Sequence, residues 1–436
     1  MDSVVPPAST AAELLLMGDR AVAARLAAQL LKPHRDNLVE RPWGGSRMRA
    51  FKRLGSAARG AARPIGESFE IAADDRDEEA RLHPSVLTLD DGSRMTLPAL
   101  LAIHGETLLG EAFVRRYGRG YPLLPKLLDV AELLSVQAHP PGNTEVYVIV
   151  AADPGATIRL GFAADVAADA LATKLVAGRR EQQRLLDLAA GAVTPEGLQA
   201  ELKRWLARRD AAPAALEATL RPKLGAAVRW ADVEACLAAL HDVYWRTLES
   251  LNAIPVKAGD VIYNTNPSRV VAASGKPASA EVHALGNPEG RGLLALEIRR
   301  PGPTLRAWDN VRFPLRDIDI EAALQSLNLG ATRPEEFIVE PTLVRPGVRR
   351  SVDCEYFRVE HLTPTADVAI DVPASSPHSL HALAGKVTLR GSDGTALGSL
   401  ERGESALVPV GVGAYRIAAE REPAALVKVE LPPYAA

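Results

Sequence analysis

Residues 134–150, LSVQAHPPGNTEVYVIV, are the stretch of the sequence that predicts the fold most directly. The segments on either side of its Pro-Pro-Gly-Asn-Thr turn are typical of β-strands. Residues two apart on a strand share a face, so Gln137 and His139 are expected to point the same way. A hairpin folded at the turn would bring Glu145, which opens the second strand, back toward His139.

These polar side chains allow two interpretations. Gln, His and Glu side chains that converge inside a sheet form a mixed nitrogen and oxygen site suited to a divalent metal. The alternative is a hydrogen-bonded His–Glu pair in a protein core, and spacing alone favours it slightly. A second histidine in strand context, His283 within EVHALG, would complete four ligands and shifts the balance toward a metal site.

Outward from this stretch, the character of the sequence changes several times. Short apolar runs separated by turn residues predict strands over about 37–162, interrupted by a helix at 97–105. Residues 164–252 carry apolar side chains at helical spacing, which predicts amphipathic helices. Strands return at 256–264 and 292–300, and a last strand-rich block follows. Residues 10–32 are predicted to form one helix, capped by Thr10 and ended by Pro33.

This order predicts a mainly β fold with a helical insertion, built from antiparallel barrels or jelly rolls. The predicted divisions are an N-terminal helical extension (1–36), a first β domain (37–163 with 253–313), a helical insertion (164–252), a connecting segment (314–344) and a C-terminal β domain (345–436).

Composition excludes several classes of protein. The 436 residues hold 51 Lys plus Arg and 54 Asp plus Glu, a net charge of −3, which gives no basic field for a nucleic-acid partner. No apolar run approaches the roughly 20 residues that cross a bilayer, so no membrane partner is expected. Cys236 and Cys354 form no metal or disulfide pattern, which fits a reducing, cytoplasmic compartment. The acidic run at 74–79 is interpreted as a solvated loop.

Four motifs together resemble the type I mannose-6-phosphate (phosphomannose) isomerases, zinc enzymes of the cupin superfamily. The resemblance covers nearly the whole chain beyond residue 37 and implies two cupin (jelly-roll β-barrel) domains, the first of them catalytic. The motifs are RPWGG (41–45), GESFEI (66–71), PLLPKLLD (122–129) running into LSVQAHP, and GESALVPVGVGAYRI (403–417).

The resemblance also implies an activity, a metal and a site. The activity is the interconversion of mannose 6-phosphate and fructose 6-phosphate, with one zinc ion per chain and a sugar phosphate as the small-molecule partner. The implied zinc ligands are Gln137, His139, Glu145 and His283. Arg306 and Lys126 are assigned to catalysis, and Arg306, Trp43 and Asn143 to substrate binding.

Three departures from the family accompany these assignments. Asn143 stands where the family has a lysine, in a Gly-Lys-Thr-Glu pattern, and the loop from His139 to Glu145 is shorter than usual. About a dozen extra residues precede His283. An alternative alignment places Arg269 at that ligand position, which would leave three ligands.

The base that moves the proton between C1 and C2 has several candidates. Lys126 qualifies only if burial near a cation lowers its pKa. Glu297 or a water at the metal are the others, and Lys126 and Glu297 could equally be structural partners of each other.

Two competing functions stay open. The chain could be a catalytically altered cupin that binds a sugar phosphate without turnover, which Asn143 and the short loop favour. It could also isomerise a different sugar, since the changed loop is expected to border the substrate pocket. The sequence does not decide between a monomer and a homodimer.

Overall fold

The structure is a computed structural model that describes residues 9–55, 64–74, 76–140, 142–265, 280–374 and 376–432. Its strands are β1 (Leu38–Gly45), β2 (Ile65–Phe69), β3 (Val86–Thr88), β4 (Arg94–Thr96), β5 (Lys126–Val130), β6 (Val136–Ala138), β7 (Glu145–Ala152), β8 (Thr157–Phe162), β9 (Leu251–Pro255), β10 (Val261–Asn264), β11 (His283–Leu285), β12 (Leu293–Arg299), β13 (Leu305–Trp308), β14 (Ile338–Val339), β15 (Thr342–Arg345), β16 (Val348–Asp353), β17 (Arg358–Leu362), β18 (Ile370–Val372), β19 (His378–Gly391), β20 (Ala396–Glu401), β21 (Ser405–Val408) and β22 (Tyr415–Glu430). Its helices are α1 (Ala11–Leu16), α2 (Arg20–Ala27), α3 (Arg47–Phe51), α4 (Glu78–Leu82), α5 (Leu97–Leu109), α6 (Glu111–Tyr117), α7 (Ala168–Ala189), α8 (Pro195–Leu206), α9 (Glu217–Leu224), α10 (Trp230–Glu249) and α11 (Ile320–Gln325).

The prediction of a single helix over 10–32 is wrong. The segment forms the two short helices α1 and α2, because Gly18 adopts a φ of 87° and Asp19 begins a new helix by accepting hydrogen bonds from the first turn of α2. The predicted cap at Thr10 is confirmed, and its hydroxyl forms a capping box with Glu13.

Two antiparallel sheets face each other in the first part of the chain. One has the strand order β1-β2-β5-β12-β7-β10-β14 and the other β13-β6-β11-β8-β9. Their facing side chains form one apolar cluster, with Leu128 and Ile149 from the first sheet and Ile158 and Leu160 from the second. Polar side chains on these inner faces are therefore held between the sheets.

Both sheets are also covered on their outer faces. The predicted helices of 164–252 are confirmed, and α7, α8 and α10 pack on the second sheet through a cluster that includes Trp308 and Ala284. The first sheet is buried on its outer face by α5 and by residues of the third sheet, such as Leu407 and Val427. Every residue of β5 and β12 is therefore buried, including their charged residues.

The third sheet has the order β15-β16-β17-β22-β19-β20, with β18 beside β22 and β21 beside β19. The prediction of a fold rich in antiparallel sheet is confirmed. Strands make up 32% of the residues and helices 31%, so the helical share is larger than a mainly β fold implies. Within the described residues no sheet closes into a barrel.

One close approach between helix and sheet depends on a glycine. A Cβ built on Gly178 of α7 would lie 2.7 Å from Cη2 of Trp308 and 2.9 Å from a methyl carbon of Val243. Alanine normally stabilises a helix interior by about 1 kcal/mol relative to glycine. Here overpacking, which costs about 1–3 kcal/mol, outweighs that gain, so Gly178→Ala should lower the free energy of unfolding. Denaturant titration would contradict this if the variant were as stable as the wild type.

Among the residues described, no helix combines the length and the apolar character that crossing a membrane requires.

Candidate active site

Strands β6 and β7 lie in two different sheets, so the predicted hairpin between them is wrong. Strand β6 pairs with β11 and β13 in the second sheet, whereas β7 pairs with β10 and β12 in the first. Because the two sheets face each other, the chain still brings Glu145 opposite His139. His139 and Glu145 therefore lie close together as predicted, but across the space between the two sheets and not within one hairpin.

His139, Glu145 and His283 form a buried cluster between the sheets. Their ligand atoms all lie within 4.8 Å of one another. Nε2 of His139 is 2.8 Å from Oε1 of Glu145, and Nε2 of His283 is 3.4 Å from Oε2. Donor atoms bound to a tetrahedral zinc ion at its usual bond lengths lie about 3.3 Å apart, so the spacing fits such an ion.

The orientation of both imidazole rings fits a metal as well. Nδ1 of His139 contacts the carbonyl oxygen of Pro303 at 3.1 Å, and Nδ1 of His283 contacts that of Glu281 at 2.8 Å. A carbonyl at Nδ1 fixes the proton there and leaves Nε2 as a lone-pair donor. The contact of His139 Nε2 with Glu145 lacks hydrogen-bond geometry, so this buried nitrogen has no hydrogen-bond partner among the described residues.

The protonation states also favour metal binding. Burial alone would raise the pKa of Glu145, but the neighbouring His139 and His283 and a hydrogen bond from Tyr147 hold that pKa well below its usual range. Burial lowers the pKa of His283 despite the adjacent Glu145. The carboxylate and the neutral imidazole are the forms that bind a metal.

Gln137 and Arg306 lie in one row with His283 across the second sheet. Gln137 is paired with His283 on one side and with Arg306 on the other. Residues directly opposite in an antiparallel sheet point to the same face, here the inner one, since the neighbours Ala138 and Ala307 face the helices. Nε2 of Gln137 donates to Ser135 Oγ at 2.9 Å, which leaves its carbonyl oxygen as the end suited to a metal.

Lys126 lies in a buried ionic network. It does not meet the condition for a base, which was a pKa lowered by burial near a cation. Its Nζ is 3.0 Å from Oε2 of Glu297 and 3.4 Å from Oε1 of Glu67. Burial would lower the pKa of Lys126, but Glu297 and Glu67 outweigh it and raise that pKa above its usual value. Lys126 is therefore a bound cation that does not meet the condition for a base, and its assignment to catalysis stays a prediction. Burial raises the pKa of Glu297 in spite of Lys126.

The interpretation of the acidic run as a solvated loop is wrong for Asp77. This residue is buried, and its Oδ2 accepts from Nη2 of Arg299 at 2.9 Å and from the backbone of Gly302 at 3.1 Å. The pair holds the turn that carries Pro303, whose carbonyl contacts His139. Asp77 and Arg299 thus support the candidate ligand His139. The sequence analysis missed this role because a run of charged residues does not indicate which distant residue pairs with it.

The glycines after Trp43 are explained by close packing. A Cβ on Gly44 would lie 2.5 Å from the backbone of Ile65, and one on Gly45 would lie 2.1 Å from Oδ1 of Asp129. The Trp43 ring belongs to the apolar cluster between the sheets. Its contact with a substrate stays a prediction.

Asn143 is buried beside the ligand cluster, and neither Nδ2 nor Oδ1 of its side chain has a hydrogen-bond partner among the described residues. Buried amides without partners are uncommon in folded proteins. Arg269 lies outside the described residues.

Part of the sequence that forms this site matches a protein-family model. Residues 36–156 match the model of "Phosphomannose isomerase type I, catalytic domain". These residues are therefore similar to the catalytic domain of that family. The match confirms the resemblance and includes His139 and Glu145, whereas His283 and Arg306 lie beyond it. No curated protein matches the chain significantly.

Solved structures of phosphomannose isomerases share the fold. Mannose 6-phosphate isomerase from Bacillus subtilis has a TM-score of 0.59 and 18% identity, covering 93% of this chain and 100% of its own. A single-residue variant of phosphomannose isomerase from Salmonella typhimurium has a TM-score of 0.60 and 16% identity, covering 93% and 100%. A mannose 6-phosphate isomerase bound with zinc and yttrium has a TM-score of 0.57 and 17% identity, covering 92% and 98%.

Proposed function

We propose that this protein is a zinc-dependent aldose–ketose isomerase that interconverts mannose 6-phosphate and fructose 6-phosphate. The observation that carries the proposal is the cluster of His139, Glu145 and His283, the first two of which lie in the segment that matches the phosphomannose isomerase catalytic domain. A zinc-bound isomerase with the same fold supports the choice of metal.

One zinc ion per chain would be held by His139, Glu145 and His283, with the carbonyl oxygen of Gln137 as the fourth donor. When bound, the ion acts as a Lewis acid toward the oxygens of the sugar. The ligand residues contribute a single negative charge, from Glu145, so the loaded site keeps a net positive charge. That charge suits the negative charge that develops on the sugar when C1 and C2 exchange a proton.

The substrate is proposed to contact Arg306, Asn143 and Trp43. Arg306 is half-buried, lies on the inner face, and its Nε has no hydrogen-bond partner among the described residues. A guanidinium binds phosphate or enediolate oxygens with two parallel hydrogen bonds. The buried amide of Asn143 can both donate to and accept from sugar hydroxyls.

Glu297 is proposed as the group that moves the proton. It is paired with Tyr147 on the inner face, two residues along β7 from Glu145. A carboxyl whose pKa is raised by burial exchanges a proton nearer neutral pH than an exposed one. Lys126, bound to Glu297 as a cation, would keep enough of the carboxylate ionised to accept the proton from carbon.

We also propose that the facing sheets and the third sheet correspond to two cupin domains, divided as predicted at 37–163 with 253–313 and at 345–436. The return of the chain after the helices of 164–252 supports this division, because β10 pairs with β7.

Incubation of zinc-loaded protein with mannose 6-phosphate is expected to yield fructose 6-phosphate, measured by a coupled enzyme assay. Protein treated with a chelator is the control and should regain activity when zinc is returned. Turnover of other aldoses without mannose 6-phosphate would reassign the substrate. Binding of mannose 6-phosphate without any turnover would support the altered cupin instead.

A further inference from the structure

One oxygen of the Glu145 carboxylate is already engaged by protein donors. Tyr147 donates its hydroxyl to Oε2, and Nδ2 of Asn264 donates to the same oxygen at 3.3 Å. The same Nδ2 also lies 3.2 Å from Nδ1 of His283. Oε1 is the oxygen 2.8 Å from Nε2 of His139, whereas Oε2 is 3.4 Å from Nε2 of His283. Both donors are completely buried, with 0% of each residue exposed, so no water competes for Oε2.

Asn264 also reaches the opposite sheet. Its Oδ1 accepts from the backbone N–H of Glu281 at 2.8 Å, and the carbonyl of Glu281 contacts Nδ1 of His283 at 2.8 Å. Asn264 ends β10 and His283 begins β11, with residues 266–279 between them. The side chain of Asn264 therefore links the end of β10 in the first sheet to the residues that precede β11 in the second.

Resting on the proposed function, we propose that Asn264 and Tyr147 are positioning residues for the metal. By occupying Oε2 they present Glu145 to zinc through Oε1 alone, as a monodentate ligand. Asn264 in addition holds the backbone of Glu281, whose carbonyl contacts His283. Neither residue contacts the ion or the substrate, so both act through the ligands.

The chemistry of the two contacts supports this assignment over a purely structural one. A hydroxyl and an amide that both donate to one carboxylate oxygen fix the rotation of the carboxylate and leave its other oxygen toward His139. Hydrogen bonds that orient metal ligands typically change metal affinity about 10–100-fold. Hydrogen bonds that only fill a core change stability and leave the affinity and coordination of a metal unaltered.

The test uses the full chain with Tyr147→Phe, Asn264→Ala and a control, Asn252→Ala. Asn252 is a buried asparagine in the second sheet whose amide donates to Oγ1 of Thr332 at 2.8 Å and, within the described residues, makes no hydrogen bond to a candidate ligand side chain. Zinc affinity is measured by competition with a chromophoric chelator, and coordination by the visible absorption of the cobalt(II)-substituted protein. Thermal melting of the metal-free proteins reports folding.

Tyr147→Phe and Asn264→Ala are each expected to weaken zinc binding about 10–100-fold, and Asn252→Ala to leave it unchanged. Tyr147→Phe should also weaken the cobalt absorption, because Oε2, then held by Asn264 alone, can bind the ion more readily and raise its coordination number. If Asn264→Ala does not fold, Tyr147→Phe, which removes one hydroxyl and keeps the ring, decides.

Two negative outcomes are distinguishable. Unchanged zinc affinity and an unchanged cobalt spectrum in the variants, with a zinc-binding wild type, overturn the inference and leave the proposed function standing. A wild-type protein that takes up no zinc contradicts the proposed function and the inference together.

Discussion

His139→Ala is expected to abolish stoichiometric zinc binding and, with it, isomerase activity. The substitution removes one of the donor atoms that converge between the sheets. Loss of a ligand itself should cost more than the roughly 10–100-fold that the loss of an outer hydrogen bond costs. Metal analysis after dialysis should give about one zinc per chain for the wild type and essentially none for the variant.

A matched control separates this effect from general damage to the fold. His241 is also buried, on α10 in the helical insertion, where its Nε2 contacts the carbonyl of Arg208 at 3.0 Å. His241→Ala should lower stability and leave zinc content at the wild-type level. Full zinc content in His139→Ala, or equal zinc loss in both variants, would contradict the proposed metal site.

Local elements of this fold could be predicted from the sequence because their signals are local. The apolar spacing of 164–252 indicates helices wherever those helices pack, and Thr10 caps a helix through its own turn. The break at Gly18 was missed because the apolar stripe continues across it. Periodicity detects a face and does not detect a positive φ.

The partners of the candidate site were predicted less well, because they depend on which strands become neighbours. The turn after His139 looks the same whether the chain forms a hairpin or crosses to another sheet. Tyr147 and Asn264 occupy ordinary strand positions, and their role arises only where β7 and β10 pair. Asp77 finds its partner Arg299 at a separation of 222 residues, beyond the reach of any pattern in the acidic run.

Arg306→Ala is expected to reduce turnover strongly while leaving zinc content and melting temperature nearly unchanged. Arg306 is two strands from His283 in the same row, about 10 Å away between backbones, so it can meet a substrate anion without being a metal ligand. Removing one preorganised donor at a developing oxyanion typically costs about 10²–10³ in rate. Arg306→Lys should restore only part of the activity, because an ammonium cannot form the paired hydrogen bonds of a guanidinium.

The control for this arginine is Arg159→Ala. Arg159 is half-buried on β8 of the same sheet and lies opposite Ala284, on the face covered by helices. That variant should keep wild-type kcat and KM. If Arg306→Ala unfolds the protein, Arg306 is a structural residue, and if it retains full isomerase activity, the assignment of Arg306 to catalysis is wrong. A loss confined to KM would place Arg306 on the phosphate, whereas a loss in kcat places it at the reacting oxygens, since only interactions made in the transition state change kcat.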